Sequence, residues 1–122
     1  MLDHLSIHIT DLDASVTFYD RVLGALGINR SFSIPGIAAY GQMFFWLYAG
    51  KSDDTPTPER QHIAFKANER AAVDAFYQAA LANGGKDNGA PGIRSNYHPN
   101  YYAAYVIDPD GYKLEAVCHN SN

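Results

Sequence analysis

Cysteine is almost missing from these 122 residues: Cys118 stands alone, so no internal disulfide can staple the chain. None is needed, because a chain of this length can bury roughly two-thirds of the surface it exposes when unfolded. With 47% hydrophobic and 18% charged residues, the composition is that of one ordinary globular domain. A lone thiol at the end of an apolar run reads as a small buried hydrophobe. Basic residues are few and scattered, nine against thirteen acids for a net charge of −4. That balance, with no Lys/Arg cluster, argues against a nucleic-acid partner. Long apolar runs are lacking too. The longest, Ile37 to Gly50, is broken by Gly41 and Gln42 and is too short to cross a bilayer, so no membrane partner is expected. Strand-like residues from Asp3 onward leave no room for a signal peptide, and a cytoplasmic location is the default expectation.

What the chain does contain is an internal repeat, the strongest constraint on its fold. Residues 4–27 read HLSIHITDLDASVTFYDRVLGALG, and residues 62–85 read HIAFKANERAAVDAFYQAALANGG. At a fixed offset of 58, without a gap, His4 falls on His62, Phe18 on Phe76, Tyr19 on Tyr77, Leu23 on Leu81 and Gly27 on Gly85. Each copy opens with period-two alternation, the mark of a strand with one apolar face. Leu5, Ile7 and Ile9 oppose His4, Ser6 and His8; Ile63, Phe65 and Ala67 oppose His62, Ala64 and Lys66.

A helix follows in each copy. Asp11 or Asp13, and Asn68 in the second copy, are the expected N-caps. Val16, Tyr19 and Leu23, like Ala72, Phe76 and Ala80, recur at helical spacing. Glycines at 24, 27, 84 and 85 close the helices. Strand-like text then returns: Ser31–Ile34, Ile37–Tyr40 and Met43–Tyr48 in the first copy. In the second come a Gly/Pro-rich stretch at 84–92, Tyr101–Ile107 and Tyr112–Cys118. The last two are joined by Asp108-Pro109-Asp110-Gly111, which suits a type I hairpin turn. The reading is an α+β domain over 1–122, made of two βαβββ modules, about 1–50 and about 62–119, with a solvated linker at 51–61.

The repeated histidine changes the weight of each one. His4 and His62 open equivalent strands on the face away from the helices. Glu115 interrupts the apolar strand YKLEAVC, with Leu114 and Ala116 on the opposite face, and a carboxylate there needs a partner. Two imidazoles and one carboxylate form a ligand set for a divalent transition metal that leaves positions open for substrate or water. The alternative is that Glu115 pairs with Lys66 or Lys113 and the histidines bond to backbone.

Taken together, the two βαβββ modules, the opening DHLSIHITDLDASVTFYDRVLGALG, the QHIAF strand and the closing IDPDGYKLEAV resemble the vicinal oxygen chelate superfamily, which includes glyoxalase I, extradiol dioxygenases, fosfomycin-resistance enzymes and bleomycin-resistance proteins. The resemblance covers the whole chain. It implies sheets curled into a cup, with a divalent metal (Fe, Mn, Zn or Ni) held by His4, His62 and Glu115. It also implies a small-molecule substrate bound through two adjacent oxygens, and a homodimer in which the cup, and so the metal site, is shared between copies.

Departures from particular members shape the expectation further. Glyoxalase I carries a second glutamate at the module-1 counterpart of Glu115; here that place falls to Leu47, or to Trp46 in a register one residue away. Lys86, Arg94 and Lys113 form no evident phosphonate-binding cluster. On the expected cavity face, His8 is the candidate proton carrier, and His98, in SNYHPNYY, is the second. Trp46, Tyr102 and Tyr105 are expected among the lining of a pocket suited to a flat or apolar substrate. The competing function is a metal-free protein that sequesters a drug or metabolite, as bleomycin-resistance proteins do. The set of three candidate ligands speaks for the enzyme.

Overall fold

Two runs of alternating residues, each followed by an amphipathic helix and three more strands, dictate the order seen in the computed structural model, which describes residues 2–49 and 61–122. Module 1 comprises β1 (Leu5–Ile9), α1 (Leu12–Gly24), β2 (Arg30–Ile34), β3 (Ile37–Tyr40) and β4 (Phe45–Ala49). Module 2 comprises β5 (His62–Lys66), α2 (Arg70–Ala82), β6 (Lys86–Ile93), β7 (Tyr102–Ile107) and β8 (Lys113–Cys118). The expected linker lies, but for Gln61, outside the described residues.

The two modules have the same topology. The sheets run β1-β4-β3-β2 and β5-β8-β7-β6, with the first strand of each parallel to the last and the other pairs antiparallel. One face of each sheet carries a helix. Ile7, Ile9, Phe45 and Leu47 are buried there with Phe18, Val22 and Leu23 of α1; Phe65, Leu114 and Ala116 are buried with Val73, Phe76 and Ala80 of α2. The halves share one core. The Phe45 and Phe65 rings meet edge to face at 5.4 Å, and the Tyr19 hydroxyl of α1 donates to the Asp108 carboxylate at 2.5 Å.

Local expectations held unevenly. Asp11 caps α1, its carboxylate accepting from the Ala14 amide at 3.2 Å. The α2 cap is not Asn68. Helix α2 starts one residue later, with Glu69 at the cap position and no side-chain capping bond, while the Asn68 carbonyl accepts from the Asn120 side chain. The Gly/Pro-rich stretch forms an edge strand, β6, with register shifts around Gly89. Pro91 fits there because an edge strand and a bulge both spare a backbone donor. The 108–111 turn forms as expected, with the Gly111 amide donating to the Asp108 carbonyl at 3.0 Å.

Candidate functional site

Strand alternation sends His62, Glu115 and Tyr105 to one face of the second sheet, opposite α2. In the register, Glu115 lies between Ala64 of β5 and Tyr105 of β7. Its side chain is 4% exposed, and its two oxygens have separate partners. His62 Nε2 lies 2.8 Å from Oε1, and the Tyr101 hydroxyl donates to Oε2. These partners are an imidazole and a phenol, not the Lys66 or Lys113 of the alternative reading. Burial and the adjacent Glu115 charge raise the Tyr101 pKa, so this hydroxyl keeps its proton at neutral pH. Burial followed by the Glu115 charge also raises that of Tyr105.

The same parity places Ser6, His8, Trp46 and Tyr48 on the open face of the first sheet. That face is aromatic: Trp46 and Tyr48 stack at 6.3 Å, Phe32 reaches Trp46 at 5.7 Å, and the exposed His8 lies 6.1 Å from Tyr48. The registers also settle the counterpart of Glu115. Glu115 pairs with Ala64, two residues past His62, and Trp46 pairs with Ser6, two residues past His4. Trp46, not the buried Leu47, therefore takes that place, and it offers no metal ligand.

Not every expected site residue gathers here. Tyr102 points the other way, its hydroxyl donating to Asp74 of α2 at 2.6 Å with Arg70 over its ring. An odd–even step along β7 separates it from Tyr105. His4 stands just before β1, half-exposed, with Nδ1 at 2.7 Å from Asp3. It helps line a pocket of about 280 Å³ with Ala64 and Phe65. Among the described residues, no three His, Cys, Asp or Glu side chains converge in a way that could hold a metal ion.

His98 has a different setting from the one its loop position suggests. The Asn100 amide donates to His98 Nδ1 at 3.0 Å, so the neutral ring carries its proton on Nε2. Nε2 faces His119 Nδ1 at 2.8 Å, and both rings meet Tyr101 edge-on at 5.4 Å. Sequence reading left Tyr101 and His119 out of the site. The signal was parity: Tyr101, just before β7, is four residues from Tyr105 and so falls on the same face, toward Glu115.

Donor chemistry at the pair suits a divalent transition metal. Metal–nitrogen and metal–oxygen bonds of about 2.0–2.2 Å put adjacent ligands about 3 Å apart, close to the spacing of His62 Nε2 and Glu115 Oε1. Two of the three expected donors thus converge, and His4 of the same chain does not complete them.

Comparison with known proteins agrees with the architecture. A glyoxalase/bleomycin resistance protein from Albidiferax ferrireducens superposes with a TM-score of 0.86 at 31% identity, covering 95% of this chain and 97% of the other. A lactoylglutathione lyase from Agrobacterium tumefaciens, at 21% identity, a TM-score of 0.66 and coverage of 97% and 92%, shares the fold. An uncharacterised protein of Pseudomonas aeruginosa is 32% identical over 91 residues, and the match spans 68% of this chain but just under two-thirds, 65%, of that relative. Residues 1–116 match the profile of the Glyoxalase/Bleomycin resistance protein/Dioxygenase superfamily, and with its paired, pseudo-symmetric modules this chain belongs to that superfamily.

Proposed function

We propose that this protein is a cytoplasmic, metal-dependent enzyme acting on a small molecule, with its metal held by His62, Glu115 and a His4. The observation that carries this reading is the His62–Glu115 pair: a nearly buried carboxylate with the Nε2 of a half-exposed imidazole 2.8 Å from it. When bound, the metal supplies Lewis-acid stabilisation of negative charge developing on two adjacent substrate oxygens. The chain's own residues do the rest. Tyr101 fixes one Glu115 oxygen, so the carboxylate presents the other in a constant direction. Tyr105 walls the site beside His62, their rings 6.2 Å apart. His8 is the proton carrier, an exposed imidazole on the open face of the first sheet. His98, whose Nε2 proton is directed at His119, backs Tyr101 and keeps its hydroxyl on Glu115. Because His4 is separated from the pair within one chain, a second copy provides it in a homodimer. Such a dimer sets the aromatic face of one copy, with Trp46, against the Glu115 face of the other.

Zinc and manganese binding to wild type and Glu115→Gln, measured by calorimetry after chelator treatment, tests this. Wild type should bind about one metal per chain. The variant should lose affinity by a hundredfold or so while keeping its fold, because an amide can still bond to Tyr101. A wild type that stays metal-free with both ions at micromolar levels would overturn the enzyme reading and favour the metal-free binding protein.

A further inference from the structure

The open face of the second sheet is basic in a chain that is acidic overall. Alternation puts Lys66, Lys86 and Lys113 on it, and Arg94 reaches it from the end of β6. These are four of the nine cationic residues in the chain. Arg94 has a specific seat. Its guanidinium carbon lies 5.3 Å from the centre of the Tyr105 ring, and Nη2 donates to the Ala90 carbonyl at 2.6 Å.

Two glycines make that seat possible. A Cβ on Gly92 would come within 3.0 Å of Nη1, and one on Gly89 within 3.4 Å of Nη2. The bare backbone of β6 is therefore the floor on which the guanidinium lies. Among the described residues, no carboxylate pairs with Arg94. The Tyr105 ring meets both Arg94, 5.3 Å from its centre, and His62, with ring centres 6.2 Å apart, and so links this cation to the His62–Glu115 pair.

We infer that this face takes a small organic-acid anion whose carboxylate is read by Arg94, with Tyr105 as the wall between that carboxylate and the reacting end. A guanidinium presents a planar fork that matches one carboxylate in charge and geometry. The three lysines contribute a positive field that draws anions to the face. The inference rests on the proposed function only in assigning the other end of the substrate to His62 and Glu115.

Amide NMR on the full-length, metal-free protein separates the two ideas. Benzoate should shift the Gly89 and Gly92 signals to saturation, and the neutral isostere benzamide should not. Arg94→Gln should weaken benzoate by at least about tenfold. Gly92→Ala, which keeps the charge but pushes a methyl group at Nη1, should weaken it several-fold. Zinc affinity should be unchanged in both variants. Equal responses to benzoate and benzamide, full affinity in Arg94→Gln, or tighter binding of inorganic phosphate than of benzoate would overturn the assignment. If zinc fails to bind the wild type while the benzoate results hold, the metal reading falls and the anion site stands.

Discussion

Asp108 shows how much one side chain can join. It opens the β7–β8 turn, as its place before Pro109 suggests, and its carboxylate accepts from the backbone amides of Asp110 and Tyr112. It also accepts from Tyr19 on the first helix, 89 positions away, a partner that only the tertiary structure could show. Burial outweighs these hydrogen bonds and raises its pKa. A carboxyl whose folded pKa lies above its unfolded one contributes stability below the unfolded value and loses it as pH rises through the folded value. Urea unfolding from pH 3 to 7 should therefore show the advantage of wild type over Asp108→Asn shrinking as pH climbs above about 3.9. An advantage that grows with pH would contradict this. Glu115 makes the same point at the site. Its oddness within an apolar strand was legible, but its partners, His62 from β5 and Tyr101 from just before β7, depend on strand pairing.

Helix α2 meets its sheet at Gly85. A Cβ there would lie 2.6 Å from the Phe18 ring of α1, 2.9 Å from the Ala80 carbonyl and 3.0 Å from the Ile107 carbonyl. Sequence reading makes this glycine a helix stop; packing makes it the point where both helices and β7 come together, with no room for a methyl group. Gly85→Ala should cost about 1–3 kcal/mol, read as a lower urea midpoint with an unchanged slope. Stability equal to wild type would show that the junction can open at no cost. Alternation predicted the first strand of each module residue by residue, because a half-buried strand writes its faces into the sequence. The β6 edge strand was harder to see, since its Gly and Pro residues belong to bulges and hide the period.

Across the whole molecule, the repeat becomes two sheets of identical strand order on a common core. This leaves His4 of a chain apart from that chain's own His62 and Glu115. If a partner's His4 completes each site, mixing His4→Ala with Glu115→Ala chains should restore one tight zinc site per heterodimer, while each variant alone binds weakly. No recovery on mixing would rule out sharing. Analytical ultracentrifugation should show a dimer that zinc tightens, since a ligand bound only by the assembled state stabilises it. The sequence by itself determined the two-module architecture, the helix-facing sides of the strands and the candidates His62 and Glu115, because repeats, periodicity and a misplaced charge are local signals. Only the tertiary structure decided that Trp46 is the module-1 counterpart of Glu115, that Tyr101 grips the Glu115 carboxylate and that Tyr102 faces α2. Register and loop closure are set by packing between distant segments, and a one-residue step along a strand reverses the face a side chain takes.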